Sequence, residues 1–208
     1  MTAFLPDILG WDRAWPWLLG CLIAGYVLGS VPFGLILTRA LGLGDVRRIG
    51  SGNIGATNVL RTGHRGAAAA TLLLDGLKGF AAVAITFALY GPLPAQLAGI
   101  GALLGHVFPI WLRFRGGKGV ATYLGVLFGL SWPVGLAACA TWGLMALVAR
   151  ISSLAAIVTV LTAPVWLFLA GGRDAVWALV LLSALVLARH SANIARLLAG
   201  REPRIGSR

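Results

Sequence analysis

The chain has 208 residues, 59% hydrophobic and only 11% charged, with a mean hydropathy of +0.89. Soluble domains carry about 25% charged residues, so this composition excludes a water-soluble enzyme and points to lipid as the solvent. A formal charge of +11 would suggest nucleic acid in a soluble protein, but here the cations fall in short segments between apolar runs, the distribution of a polytopic membrane protein.

A bilayer-spanning helix needs about 20 predominantly apolar residues. Seven runs are candidates in chain order: 17–37, 66–90, 93–112, 119–131, 132–149, 151–170 and 174–188. The fourth and the last are short. Trp11, Trp15 and Trp17 precede the first run like an interfacial aromatic belt. With the N-terminus outside, the inner segments collect Arg39, Arg47, Arg48, Arg61, Arg65, Arg113, Arg115, Lys118, Arg150, Arg189, Arg196, Arg201, Arg204 and Arg208. The outer segments then hold only Arg13 and Arg173, with Lys78 inside a run. The expected fold is therefore all-α, a polytopic integral membrane helix bundle of about seven transmembrane helices, N-terminus outside and C-terminus cytoplasmic. A five-span alternative, in which the short runs are merged or lie on the surface, keeps the same orientation. One domain over residues 1–208 is expected, since no repeat or linker divides the chain. Apolar runs recur to the end, which speaks against a removable signal peptide. Cys21 and Cys139 lie within apolar runs and read as small hydrophobes, and no Cys/His spacing suggests a metal.

Between the first two runs stands RRIGSGNIGATNVLR, residues 47–61. Gly50-Ser51-Gly52-Asn53-Ile54-Gly55 fits the G-x-G-x-x-G pattern of dinucleotide-binding domains, and Asp75 follows at a ribose-binding distance. That pattern requires a preceding strand and a βαβ unit, whereas a membrane run and a short charged segment precede it here. No Gly-Lys-Ser/Thr completes a Walker A loop either. The physical core of the pattern remains: Gly50 and Gly52 free the backbone to turn its amides toward an anion. Ser51, Asn53, Thr57 and Asn58 add short hydrogen-bonding groups, and Arg47, Arg48 and Arg61 add charge. A tight turn between two spans would use the same letters.

Farther on, Asp75 and Lys78 stand three residues apart on one helix face within an apolar run. They can offset each other's desolvation and are assigned mainly to structure. His106 packs against them or approaches a substrate. In RFRGGKGVATYLG, residues 113–125, Gly116, Gly117 and Gly119 surround Lys118 just before a helix start, a combination that favours phosphate. Arg150 leads Ser152 and Ser153 into the next run. The tail RHSANIARLLAGREPR, residues 189–204, puts His190, Asn193 and Leu197 near one helix face. Alone it reads as an amphipathic surface helix. Together these segments on one side describe a polyanion site beside helices able to hold an acyl chain.

Six ordered motifs resemble the PlsY family of bacterial acyl-phosphate:glycerol-3-phosphate acyltransferases. They are GSVPFG (29–34), RRIGSGNIGATNVLR (47–61), DGLKG (75–79), GHVFP (105–109), GGKGVAT (116–122) and HxxNxxRLxxGxE (190–202). The resemblance implies transfer of a fatty acyl group from acyl phosphate to the 1-position of glycerol 3-phosphate, at the cytoplasmic side of the inner membrane. Neither acyl-CoA nor acyl carrier protein would be the direct donor. Membrane lipid is the surrounding partner; no cofactor, metal or nucleic acid is expected, and a monomer is. Carried over by position, Ser51, Asn53, Arg61, Ser153 and Asn193 take catalytic-site roles. Gly50, Gly52, Thr57, Asn58, Gly116, Gly117, Lys118 and His190 take substrate-binding roles. Where the family shows Arg-aromatic-Val-Ser-Leu, this chain has Arg150-Ile151-Ser152-Ser153-Leu154. Alignment to Leu154 favours Ser153 over Ser152. No His-x4-Asp acyltransferase box is present, which fits direct attack on an already activated acyl phosphate. An organic-phosphate transporter is the rival from another class, but it needs polar groups toward both faces, and the outer segments are nearly bare. A rhomboid-like protease lacks its Gly-x-Ser-Gly context.

Overall fold

A computed structural model describes residues 11–206, with side chains from Ala14 onward. Trp11, Arg13 and Arg208, used above for the belt and the charge census, lie outside the described side chains. Among the described residues ten α-helices follow in order: α1 (Trp11–Gly29), α2 (Phe33–Ala40), α3 (Ala56–Val59), α4 (Arg65–Tyr90), α5 (Pro92–Val107), α6 (Val120–Leu130), α7 (Trp132–Ala149), α8 (Ser152–Leu169), α9 (Val176–Arg189) and α10 (Ser191–Leu198). No strand forms among the described residues. Apolar runs in lipid become helices because only the helix satisfies every backbone polar group within one segment. The dinucleotide pattern accordingly has no strand in front of it.

Each of the seven apolar runs contains a helix, but fewer than seven are long enough to cross a bilayer alone. Five stretches qualify among the described residues: Ala14–Ala40, Arg65–Tyr90, Pro92–Leu112, Trp132–Ala149 and Ser152–Leu169. A sixth is counted if α9 and α10, bent by 62° at His190, are taken as one span. The shortfall lies in the two runs that are short in sequence. α6 has 11 residues, a rise of only about 16 Å at 1.5 Å per residue.

α5 is the central helix, flanked by α1, α4, α6 and α9. Its tightest neighbour is α1, and small residues account for this. Gly25 and Gly29 on α1 abut the main chain of Ala98 and Ala102, while Gly101 and Gly105 on α5 abut the main chain of Leu22, Tyr26 and Ser30. Two reciprocal four-residue spacings let the backbones approach as no larger side chain would allow. The main core joins Leu103 and Val107 on α5 with Tyr123 and Leu127 on α6, Leu167 on α8 and Leu182 on α9. Polar ties cross it: Tyr123 and Ser183 hydroxyls lie 2.8 Å apart, and Tyr26 OH donates to the Phe108 carbonyl at 2.7 Å.

Candidate active site

Residues 41–64 have little helix, yet they are held firmly. Val46, Ile54 and Val59 bury against Leu35 and Ala67 in a small core of their own. Asn58, 2% exposed, is the staple. Its Nδ2 donates to the carbonyls of Val46 (2.8 Å), Ile49 (3.1 Å) and Asn53 (2.8 Å), and its Oδ1 accepts from the Ser51 amide at 3.1 Å. Asn53 Oδ1 accepts from the Gly55 amide at 3.0 Å. Gly50 and Gly52 adopt φ of +51° and +69°, the left-handed region that glycine enters without penalty. A side chain at Gly50 would also collide with Arg61 and Asn58. The expected nest of free amides differs from what is found: the N–H groups of Ser51, Gly52 and Gly55 are donated within the loop. What the loop offers outward is side chains, the exposed Ser51, Thr57 and Arg61. Asn58 shapes this surface from inside.

The second glycine loop behaves similarly. Gly116 and Gly117 donate their amides to the Val107 and His106 carbonyls, both at 3.1 Å, closing the end of α5. Either would clash with His106 if it carried a side chain. Their glycine identity is thus explained by close packing, and it is Lys118, on the next residue, that is presented.

Lys118 meets the tail. Its Nζ donates to Asn193 Oδ1 at 2.6 Å, and Asn193 Nδ2 donates to Glu202 Oε1 at 2.5 Å. Ser153 Oγ donates to the same Glu202 oxygen at 2.6 Å, while Arg196 Nε donates to Oε2 at 2.6 Å. His190, 3% exposed, sits at the α9–α10 bend with Nδ1 donating to the Val186 carbonyl at 2.7 Å. The first loop joins this cluster through Thr57, whose hydroxyl lies 3.5 Å from that of Ser152. The two adjacent serines therefore divide: Ser152 faces the first loop and Ser153 the tail carboxylate. The Ile205 amide donates to the Arg150 carbonyl at 2.6 Å and pins the end of the chain there.

Electrostatics bind the four segments together. Burial holds the Lys118 ammonium below the ordinary lysine range; Glu202 opposes that shift, and Arg196, Arg189 and Arg61 reinforce it. Burial pushes the Glu202 carboxyl up, but hydrogen bonds from Ser153, Asn193 and Arg196 and the Arg196 charge outweigh it and hold the group below the usual glutamate range. Beneath the site, Asp75 pairs with Lys78 at 2.7 Å, and His106 Nδ1 lies 3.6 Å from the same carboxylate oxygen. Lys78 also donates to the Val31 carbonyl at 2.9 Å. His106 thus turns to the Asp75–Lys78 pair, and this buried trio ties α4, α5 and the α1–α2 break together below the second loop.

A model of the family described as glycerol-3-phosphate acyltransferase matches residues 19–200. The chain belongs to this family. Among similar glycerol-3-phosphate acyltransferases, that of Ruegeria sp. (strain TM1040) is 60% identical over 184 residues, covering 88% of this chain and 91% of that protein. That of Mesorhizobium japonicum is 57% identical over 191 residues, covering 92% and 97%. Two crystal structures of PlsY (YgiH), an integral membrane glycerol 3-phosphate acyltransferase, share the fold. The glycerol 3-phosphate form superposes with TM-score 0.86 at 39% identity, covering 91% of this chain and 96% of that one. The lysophosphatidic acid form gives 0.85 at 38% identity, covering 91% and 95%.

In this acyltransferase, then, Lys118 meets Asn193 directly and Ser153 joins them through Glu202, Thr57 and Arg61 approach from the first loop, and Gly50, Gly52, Asn58, Gly116 and Gly117 shape the loops. Glu202 was not among the candidates, although it closes the tail motif. One signal pointed to it: an acidic residue at the end of an arginine-rich tail needs a reason to be there.

Proposed function

We propose that this glycerol-3-phosphate acyltransferase takes its acyl group from acyl phosphate and places it on the 1-hydroxyl of glycerol 3-phosphate, as a single-domain monomer acting at the cytoplasmic face of the inner membrane without a cofactor. The observation that carries this reading is the hydrogen-bonded chain from Lys118 through Asn193 and Glu202 to Ser153, flanked by Arg61, Arg189 and Arg196. Both substrates carry phosphate, and a basic cluster fed by two loops can serve two phosphate groups. The acyl–phosphate bond is a mixed anhydride with a good leaving group. The glycerol hydroxyl oxygen attacks the acyl carbon, the carbon–oxygen bond to phosphate breaks, and the hydroxyl proton leaves with the departing phosphate. Alignment and charge neutralisation are the protein's contributions.

The test is purified protein in lipid nanodiscs with a long-chain acyl phosphate and glycerol 3-phosphate. Lysophosphatidic acid and inorganic phosphate are expected in equal amounts, and acyl-CoA in place of acyl phosphate should yield neither. Turnover with acyl-CoA alone would overturn the donor assignment. An acyl adduct trapped on Ser51 or Ser153 would overturn direct attack.

A further inference from the structure

Glu202 is one of six acidic residues in the chain, and its side chain is 6% exposed among cations. Neither phosphate-bearing substrate asks for a carboxylate. Its geometry suggests another use. An ionised carboxylate only accepts hydrogen bonds, and an ammonium only donates them. Asn193 lies between the two, so only one orientation of its amide satisfies both: Oδ1 toward Lys118 and Nδ2 toward Glu202. Ser153 is fixed by the same reasoning, because its proton is committed to Glu202 Oε1 and its lone pairs remain for the site. Arg196 holds the other carboxylate oxygen and stops the group from rotating away.

We propose that Glu202 is a positioning residue that sets the hydrogen-bond polarity of the site, so that Ser153 meets the glycerol hydroxyl as an acceptor while Lys118 meets the phosphate as a donor. The inference rests on the acyltransferase reading above and assigns the two ends of glycerol 3-phosphate. Ser153 Oγ accepts a hydrogen bond from the hydroxyl, which turns the oxygen lone pair toward the acyl carbon before the proton leaves with the phosphate. Glu202 takes no proton, and its neighbours keep it ionised at neutral pH.

Polarity and space-filling give opposite orders for two substitutions. E202Q keeps the shape but brings an N–H donor against Ser153 and Asn193 or against Arg196. E202D keeps the acceptor and loses one methylene. Hydrogen bonds to charged groups contribute about 1.5–3 kcal/mol, so E202Q should lower kcat/KM for glycerol 3-phosphate by about a hundredfold and E202D by about tenfold or less. Because Glu202 acts through Ser153, the S153A/E202Q pair should be within about threefold of S153A alone. Gln outperforming Asp, or losses that multiply, would overturn the proposal. Thermal midpoints identify any variant that fails to fold, and if E202Q does, the S153A/E202D pair reads the same coupling. Wild-type protein that makes no lysophosphatidic acid would overturn the acyltransferase reading instead. Protection by glycerol 3-phosphate against thermal unfolding then still orders the variants, wild type before E202D before E202Q, and any other order, or no protection at all, overturns the polarity assignment.

Discussion

Lys118 gives one of its three protons to Asn193 and keeps two for an anion. Burial, with Arg196, Arg189 and Arg61 nearby, places its titration below the ordinary 10.5. As pH rises through that lowered value the ammonium loses its charge, so affinity for glycerol 3-phosphate falls before pH 10.5 is reached. The KM for glycerol 3-phosphate should therefore climb along an alkaline flank. Lys118→Arg should lack the flank, because a guanidinium stays charged throughout. KM measured against pH for both proteins checks this, and a flank that persists in Lys118→Arg belongs to another group. Lys118→Ala should raise the KM for glycerol 3-phosphate about tenfold or more while changing that for acyl phosphate less; equal increases would remove the residue from the glycerol-phosphate end. Lys118 was legible in the sequence because three glycines and a helix start mark it locally. Glu202 was not, since its meaning depends on Ser153, 49 positions earlier in the chain. Asn58 looked like a ligand for a related reason: a polar side chain in a glycine loop reads alike whether it faces outward or, as here, donates to three carbonyls of its own loop.

The helices were the most legible elements, because composition alone decides where lipid-facing helices lie. Their lengths were less so: runs 119–131 and 174–188 are apolar enough, but α6 stops after 11 residues and α9 bends into α10. The α1–α5 contact was invisible as a pair, since glycine in an apolar run signals close approach without naming the partner. That contact supports the site directly, because α5 ends at Val107 and the second glycine loop folds back onto the His106 and Val107 carbonyls. Gly105→Val would drive methyl groups into the main chain of Tyr26 and Ser30. Overpacking of this kind costs about 1–3 kcal/mol, and backbone contact puts this case at the upper end. Thermal unfolding in detergent should show a clear loss of stability, together with reduced turnover as the second loop shifts. Gly143→Val on α7, where a side chain meets nothing within 4 Å, is the control and should leave the midpoint unchanged. Equal effects at the two positions would mean that helix propensity, not the α1–α5 approach, is being measured.

At the scale of the whole molecule the charges are segregated. Arg61, Arg189 and Arg196 all act on Lys118 at the end of the bundle where Arg150 and Ile205 also meet. The opposite end is formed by the turns near Pro92, Leu130 and Gly172, which line a common cleft. Asp45 and Glu202 are the acidic residues beside the cationic loops, and each is already paired with arginine. An end so rich in positive charge attracts phosphorylated substrates and resists translocation during insertion. Both effects support the proposal that this end faces the cytoplasm, where soluble phosphorylated substrates are made. Single cysteines test this in a background with Cys21 and Cys139 replaced by alanine. In intact spheroplasts a membrane-impermeant maleimide should label Arg173→Cys at the far end. Arg115→Cys and Arg201→Cys, on exposed positions at the cationic end, should react only after lysis. Labelling of all three in intact spheroplasts would show leakage and call for tighter preparations, whereas the reversed pattern would turn the bundle over. In that case glycerol 3-phosphate would have to be supplied from outside the cell, and activity in sealed spheroplasts given external substrate would report the same reversal independently.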